Sequence, residues 1–499
     1  MTGTEVSVDM AATAKAPASK ILAVVSEVYP LVKTGGLADV AGALPRALRK
    51  LGVEVVTLVP GYPAVKAAVG EAQEVLAFDN LFGGAGRVLL ARAGDLDLMI
   101  LDAPHLFDRP GNPYTGPDGR DWPDNAFRFG ALAWSAARIG LGDVAGFVPD
   151  IVHAHDWQAG LAMVYLAYDG RRPPATVMTV HNLAYQGQFP AELLEPLRLP
   201  AQAFAFDGVE HYGAIGFLKA GLQFADRITT VSPTYAAEIQ TAAGGCGLDG
   251  LLRSRAAVLS GIRNGIDVEI WNPKTDPRIV SQYGRTSFSA RAPNKAELQR
   301  RLQLAQEPAR LLIGVVSRLA WQKGLDLLGD AAPTLVEQGA QLAVLGEGEP
   351  ALEQRLSALA AAHQGQIGCR IGFDEDLAHL IQAGADAMLV PSRFEPCGLT
   401  QLCAMRYGAV PVVAKVGGLA DTVTDLGDTQ PTAKVATGLV FEPVTLDALK
   451  AALRRIAELW SDQPTWRRLQ DNGMRTDVSW AGPAKQYASL YAELQAARN

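Results

Sequence analysis

Lys33-Thr34-Gly35-Gly36-Leu37-Ala38-Asp39-Val40 follows the apolar run Ile21-Leu22-Ala23-Val24-Val25 and opens into Ala41-Gly42-Ala43-Leu44-Pro45-Arg46-Ala47-Leu48. This reads as a buried strand, a glycine turn and a helix. Five of its letters return as Gly417-Gly418-Leu419-Ala420-Asp421, after a second apolar run, Val410-Pro411-Val412-Val413-Ala414. Paired glycines lack Cβ atoms, so backbone N–H groups can approach a ligand or reach positive φ. A helix N-terminus just beyond favours phosphate, and Lys33 adds a full positive charge. Two such loops, one near each end of the chain, suggest two similar units facing each other across a ligand cleft.

The rest of the chain fits that frame. Short apolar runs alternate with helical patterns: Val53–Val59, Leu96–Leu101, Asp150–His155, Thr176–Val180 and Arg227–Val231 read as strands, with helices over Asn125–Ile139 and Ala214–Phe224. The alternation restarts near Val258–Gly265, where Asn264-Gly265 is a turn signal. Leu311–Val316, Gln341–Leu345, Cys369–Ile371 and Ala387–Val390 are the strands of the second half. Such βα alternation predicts two doubly wound α/β domains, which bind ligands at the carboxyl ends of their strands. The expected division is a flexible tail over 1–19, an N-terminal domain over 20–261, a C-terminal domain over 262–475, and a final helix over 476–499 that packs back on the first domain.

Composition narrows the function classes. The 499 residues are 48% hydrophobic and 19% charged, with a net charge of −7. No basic stripe points to nucleic acid, and no apolar run is long enough to cross a membrane. The opening residues lack the apolar core of a signal peptide. Cys246, Cys369, Cys397 and Cys403 form no C-x-x-C and lack histidines at zinc spacing, so they read as reduced, buried thiols of a cytoplasmic protein.

Polar residues collect after the strands. His153 and His155 share one strand face, but no third ligand accompanies them, so they read as packed and hydrogen-bonded side chains. Asp156 begins a helix and could simply cap it. His181-Asn182 ends the next strand, and a buried imidazole there needs partners on both nitrogens. Arg318 and Lys323 leave one loop together and suit a diphosphate. Glu395 precedes a helix expected from about Leu399, whose amides suit an anion; the carboxylate itself suits sugar hydroxyls. Asp95-Leu96-Asp97 is a D-x-D, but it lies in an alternating strand pattern that turns its carboxylates to solvent.

In order along the chain, the Lys33–Val40 loop, His155-Asp156-Trp157, His181-Asn182, Asn264-Gly265-Ile266-Asp267, Ser317-Arg318-Leu319 through Lys323-Gly324, Phe394–Gln401 and Gly417–Asp421 resemble glycosyltransferase family 5, the bacterial glycogen and plant starch synthases. The likeness covers residues 20 to 490. It implies a GT-B fold, two Rossmann-like domains about a deep cleft. It implies retaining transfer of glucose from ADP-glucose to the non-reducing 4-hydroxyl of glycogen or another α-1,4-glucan, without a metal or other cofactor. By the same resemblance, Lys33 and Gly36 lie near the donor phosphates and glucose, with Asp39 on their loop. Asp156, His181 and Asn182 line the glucose site, and Arg318 and Lys323 neutralise the leaving diphosphate. Glu395 holds glucose hydroxyls, the backbone of Cys397, Gly398, Leu399 and Thr400 cradles glucose and phosphate, Asn264 sits at the hinge, and Tyr114 lies near the adenine. Many related families carry a second glutamate eight positions after the first; here Cys403 stands there, and family 5 members generally lack that glutamate too.

Three other readings compete. A nicotinamide-dependent oxidoreductase would need G-x-G-x-x-G after the first strand, and the first loop has only adjacent glycines. A non-catalytic glucan-binding protein would have lost Lys33, Arg318, Lys323 or Glu395. The same fold could use UDP-glucose, or make sucrose- or trehalose-type products, and no motif reads the base.

Overall fold

The computed structural model describes residues 19–427 and 434–498. All but the last residue of the expected N-terminal tail lie outside them. Two parallel sheets are built in succession. In the first, β1 (Lys20–Val24), β2 (Glu54–Pro60), β3 (Gln73–Phe78), β4 (Gly86–Ala93), β5 (Leu96–Asp102), β6 (Ile151–His155), β7 (Ala175–Val180), β8 (Arg227–Thr230) and β9 (Leu259–Gly261) lie in the order β9-β8-β7-β6-β1-β2-β5-β4-β3. All neighbours are parallel except β3/β4 and β4/β5. That antiparallel edge arises because Gly94-Asp95 makes a tight turn between β4 and β5.

The second sheet is wholly parallel: β10 (Leu312–Val316), β11 (Gln341–Gly346), β12 (Ile367–Ile371), β13 (Ala387–Val390), β14 (Val410–Ala414) and β15 (Leu439–Phe441), ordered β12-β11-β10-β13-β14-β15. β11, β13 and β14 are buried at every residue. That suits strands covered on both faces.

Strand order places the site. In the first sheet the chain reverses direction at β1, which has β2 on one side and β6 on the other. In the second it reverses between β10 and β13. Crevices open at the carboxyl ends of strands where the order reverses. The Lys33 loop leaves β1, the Arg318–Lys323 loop leaves β10, and the Glu395 loop leaves β13.

Helix α1 (Gly36–Arg49) follows the first glycine loop, and α2 (Asp156–Tyr168) starts at Asp156. The expected helix over Ala214–Phe224 begins only at Phe217. Ala214–Gly216 instead joins a small three-stranded sheet with Gln188–Pro190 and Glu210–His211. α3 (Thr400–Tyr407) and α4 (Gly417–Thr422) follow β13 and β14. The final helix, α5 (Ala481–Ala496), returns to the first sheet as expected. Its Tyr487, Tyr491 and Leu494 are buried with Ile21, Val40 and Val177.

Candidate active site

The two glycine pairs do different work. A Cβ on Gly36 would come no nearer than 3.9 Å to any neighbour, and that neighbour is Leu399 Cδ1 of the other half. The first loop therefore faces open space across the cleft. A Cβ on Gly418 would meet the Cys397 carbonyl oxygen at 2.3 Å, and one on Gly417, at φ +41°, would meet the Glu395 carbonyl at 2.0 Å. The second pair lets α4 press against the Glu395 loop, where the Gly418 amide donates to the Glu395 carbonyl at 3.0 Å. The two loops do not face each other as a matched pair.

No side chain of the first loop caps α1. Buried Glu27, from the carboxyl end of β1, does so instead. It accepts from the Thr34 amide, from Thr34 Oγ1 at 2.8 Å and from the Gly35 amide at 3.3 Å. Burial pushes its pKa up, against those hydrogen bonds. Lys33 Nζ sits 2.7 Å from Asp39 Oδ1, so the loop's lysine pairs within its own loop. Burial raises the Asp39 pKa and Lys33 opposes the rise. Tyr114 places its hydroxyl 2.8 Å from Ser26 Oγ, behind this loop.

Asp156 does not cap its own helix. It adopts φ +56°, a left-handed conformation that bulky residues avoid. From there its Oδ1 accepts from the His181 amide at 2.7 Å and the Asn182 amide at 3.4 Å, tying the end of β6 to the end of β7. Burial pushes the Asp156 pKa up to about 7. Strain of this kind persists where the surroundings over-determine it, often at ligand sites.

The three histidines form a chain. His153 is held by Tyr491 at 2.8 Å and Thr179 at 2.6 Å, and it stacks on His155 at 4.1 Å. His155 Nδ1 lies 3.0 Å from His181 Nε2. Burial depresses the pKa of all three, to about 3 for His153 and His181. A depressed imidazole pKa contributes stability that is full above the unfolded value of 6.5 and lost as pH falls toward 3. His153→Gln should therefore flatten the fall in stability between pH 6 and 4 by up to one proton, about 1.4 kcal/mol per pH unit. Urea titrations at three pH values measure it, and an unchanged slope would show that His153 is not the buried neutral group described.

In the second half, Lys323 Nζ donates to Glu395 Oε2 at 2.6 Å, and Ser392 Oγ donates to the same oxygen at 2.9 Å. The lysine expected to meet a diphosphate thus already has a carboxylate partner. Arg318 is exposed and has no ion pair among the described residues; its Nη1 donates to the Tyr185 hydroxyl of the first half at 3.3 Å. Gly398 has φ +73° and begins the turn into α3. Leu399 and Thr400 follow at the start of that helix, with Thr400 Oγ1 3.4 Å from the Val316 carbonyl. Burial pushes the Cys397 thiol up to about 12, which leaves it an inert wall. Asn264 is buried, its Oδ1 without a partner among the described residues.

The cleft is drawn together by direct contacts. Tyr29 donates to Glu375 at 3.1 Å, Ser232 Oγ to the Pro396 carbonyl at 2.7 Å, and Thr234 Oγ1 to Asp421 at 2.7 Å. The Gly417 amide donates to Glu238 at 2.8 Å. Leu399 approaches Gly36 as described. The Lys33, Asp156–His181 and Arg318–Glu395 clusters therefore converge on one cleft, while Tyr114 and Asn264 sit behind it.

Sequence reasoning passed over four residues here: Glu27, Tyr185, Ser392 and Phe373. Ser26-Glu27, a polar pair closing an apolar run, was a readable signal for the first. Phe373, at the carboxyl end of β12, is 74% exposed and carried none. The thiol expectation fails at Cys246, which is exposed, because it lies on a surface turn at φ +48°. Asp95 and Asp97 are solvent-exposed and paired with Arg46 and Arg49. Among the described residues no group of three His, Cys, Asp or Glu could hold a metal, and no helix is long and apolar enough to cross a membrane.

The chain is similar to known proteins along most of its length. The family described as starch synthase catalytic domain matches residues 20–254, and that described as glycosyl transferases group 1 matches residues 297–475. A glycogen synthase of Rhodopseudomonas palustris strain BisB18 is 63% identical over 477 residues, covering 96% of this chain and 98% of the relative. One of Methylocella silvestris is 59% identical over 474 residues, covering 95% and 98%. Among solved structures, the catalytic domain of starch synthase IV from Arabidopsis thaliana, bound to ADP and acarbose, superposes with a TM-score of 0.86 at 31% identity, covering 96% of this chain and 100% of that one. A sucrose-phosphate synthase from Thermosynechococcus elongatus shares the fold at a TM-score of 0.59 and 18% identity.

Proposed function

The chain belongs to the glycogen and starch synthase family of GT-B glycosyltransferases, and we propose that its cleft moves glucose from ADP-glucose to the non-reducing 4-hydroxyl of an α-1,4-glucan. Its activity is that of a glycogen synthase, a hexosyltransferase. The observation that carries the finer reading is the convergence of Arg318 and the Lys323–Glu395 pair on loops leaving the two strands that flank the second crevice.

In this reading the halves divide the work. Residues 262–475 hold the donor and residues 20–261 present the acceptor. The diphosphate lies against Arg318, Lys323 and the amides from Gly398 to Thr400. Glu395 accepts from glucose hydroxyls, while its second contact fixes the lysine. Lys33 and Gly36 reach the donor from the opposite wall, with Asp39 setting the lysine's position. Asp156, His181 and Asn182 border the glucose.

Both carboxylates placed beside glucose are already engaged: Glu395 is paired with Lys323, and Asp156 accepts from two amides. Retention then follows from attack on the same face as departure. The bond from the anomeric carbon to phosphate oxygen breaks, the bond to the acceptor oxygen forms, and the acceptor's proton passes to the leaving phosphate. The protein's contribution is to stabilise charge on that phosphate and to exclude water. No metal is needed, because two cations and several amides already face the diphosphate.

The nucleotide base is the part with the fewest assigned partners. Phe373, on the same edge of the second sheet, offers an exposed ring for stacking. Phe373→Ala should raise the donor KM by roughly tenfold and leave the glucan KM alone; an equal rise in both would remove the base from this ring. The central test offers ADP-glucose and UDP-glucose separately, with and without glycogen and with and without EDTA, and follows nucleoside diphosphate release. Release that requires glycogen, prefers ADP-glucose and survives EDTA is expected. A preference for UDP-glucose or loss with EDTA would overturn the donor or the metal-free reading respectively.

A further inference from the structure

A second cavity, of about 180 Å³, lies in the first half between the turn before Lys33, the start of the helix Pro63–Ala68 and the segment 107–113. Val32, Phe107, Pro110 and Pro113 give it apolar walls. Two of its polar lining residues are incompletely satisfied. Tyr62 is 6% exposed, and its hydroxyl has no hydrogen-bond partner among the described residues. Arg128 is 1% exposed; its Nε donates to the Leu106 carbonyl, and its Nη1 to the Pro113 carbonyl and Asn125 Oδ1. Nη2 has no partner among the described residues.

The charge is unbalanced as well. Every acceptor on Arg128 is neutral. The carboxylate nearest to hand, Asp124, is held in two bonds, at 2.9 and 2.8 Å, by Arg109, which also lines the cavity. Two guanidinium groups therefore share one carboxylate in an apolar surround. The Phe107, Trp122 and Phe129 rings lie 5.4, 5.9 and 5.4 Å from the Arg128 guanidinium and ease its burial, but no carboxylate pairs with it among the described residues, and its remaining Nη2 donor is suited to an oxyanion.

We propose that this cavity is a binding site for a small organic phosphate, its phosphoryl oxygens meeting Arg128 and Tyr62 and its carbon portion the apolar walls. The site is separate from the donor diphosphate site, which is built on the other half. Val32 forms one wall and precedes Lys33 directly, so an occupant would rest against the base of the first glycine loop.

Calorimetric titration of the full chain with glycerol 3-phosphate and with inorganic phosphate, against sodium chloride at matched ionic strength, tests this. Three variants separate the possible sites. Arg318→Ala removes the exposed cation of the donor site. Ala64→Trp, at an exposed position on the cavity lip, blocks entry without touching the core. Tyr62→Phe removes only the unpartnered hydroxyl. Saturable binding of glycerol 3-phosphate should persist in Arg318→Ala, weaken by about tenfold or more in Ala64→Trp, and weaken by about tenfold in Tyr62→Phe. Binding that survives Ala64→Trp, or is lost in Arg318→Ala, places the ligand elsewhere and overturns the proposal. So does the absence of saturable binding, and equal affinity for inorganic phosphate would overturn the organic part.

Discussion

Arg318→Ala lowers turnover by roughly a hundredfold or more while leaving the unfolding midpoint near that of the parent. The two halves of this expectation rest on separate observations. Stability is spared because the side chain is exposed and has no ion pair among the described residues, its one hydrogen bond being a 3.3 Å contact to Tyr185. Surface contacts of that kind contribute little. Turnover suffers because this guanidinium, unpaired among the described residues, acts on charge that grows as the diphosphate leaves. Steady-state kinetics beside a thermal melt decides it. Turnover within about threefold of the parent would remove Arg318 from the leaving-group site.

The second large effect is at Glu395, and here folding and catalysis are coupled. The carboxylate is buried and takes hydrogen bonds from both Lys323 and Ser392. Glu395→Ala leaves Lys323 without its partner and empties the space proposed for glucose hydroxyl recognition. We expect turnover to fall by about a hundredfold or more, with some loss of stability from the broken buried pair. Glu395→Gln keeps the shape and the Ser392 bond but loses the charge, and should fall between the two. A variant whose only change is a higher glucan KM would show that Glu395 serves the acceptor and not the donor.

Most of the architecture was legible in the residues. Alternating apolar runs marked the strands, and the polar letters after them marked the cleft, because parallel sheets put their ligands at strand carboxyl ends. What the letters hid was geometry that depends on partners far away in sequence. Gly35-Gly36 and Gly417-Gly418 look alike on paper. Only the fold shows that one pair faces open space and the other presses on the Glu395 loop. Lys323 reads as a free cation until β10 and β13 bring it beside Glu395, 72 positions on. Asp156 reads as a helix cap, since nothing local announces that its backbone turns left-handed to serve the next strand. The edge hairpin of the first sheet and the short strand at Ala214 were lost in patterns too brief to carry a period.

The final helix has a consequence for how the protein is made. Tyr491, which holds His153, and Tyr487, buried beside it, follow the whole second half in the chain. The first half therefore emerges complete in its sheet but with one face covered only by α1, and waits for the whole second half to be synthesised before the rest of that face is covered. A chain ending at Trp480 should keep the second core and leave the first prone to association through the uncovered face. Size-exclusion chromatography of that truncation measures it, and a monodisperse monomer would show that the first half closes its own surface. Folding order and reading order run in opposite directions here, so the first half becomes secure only after the second has been made.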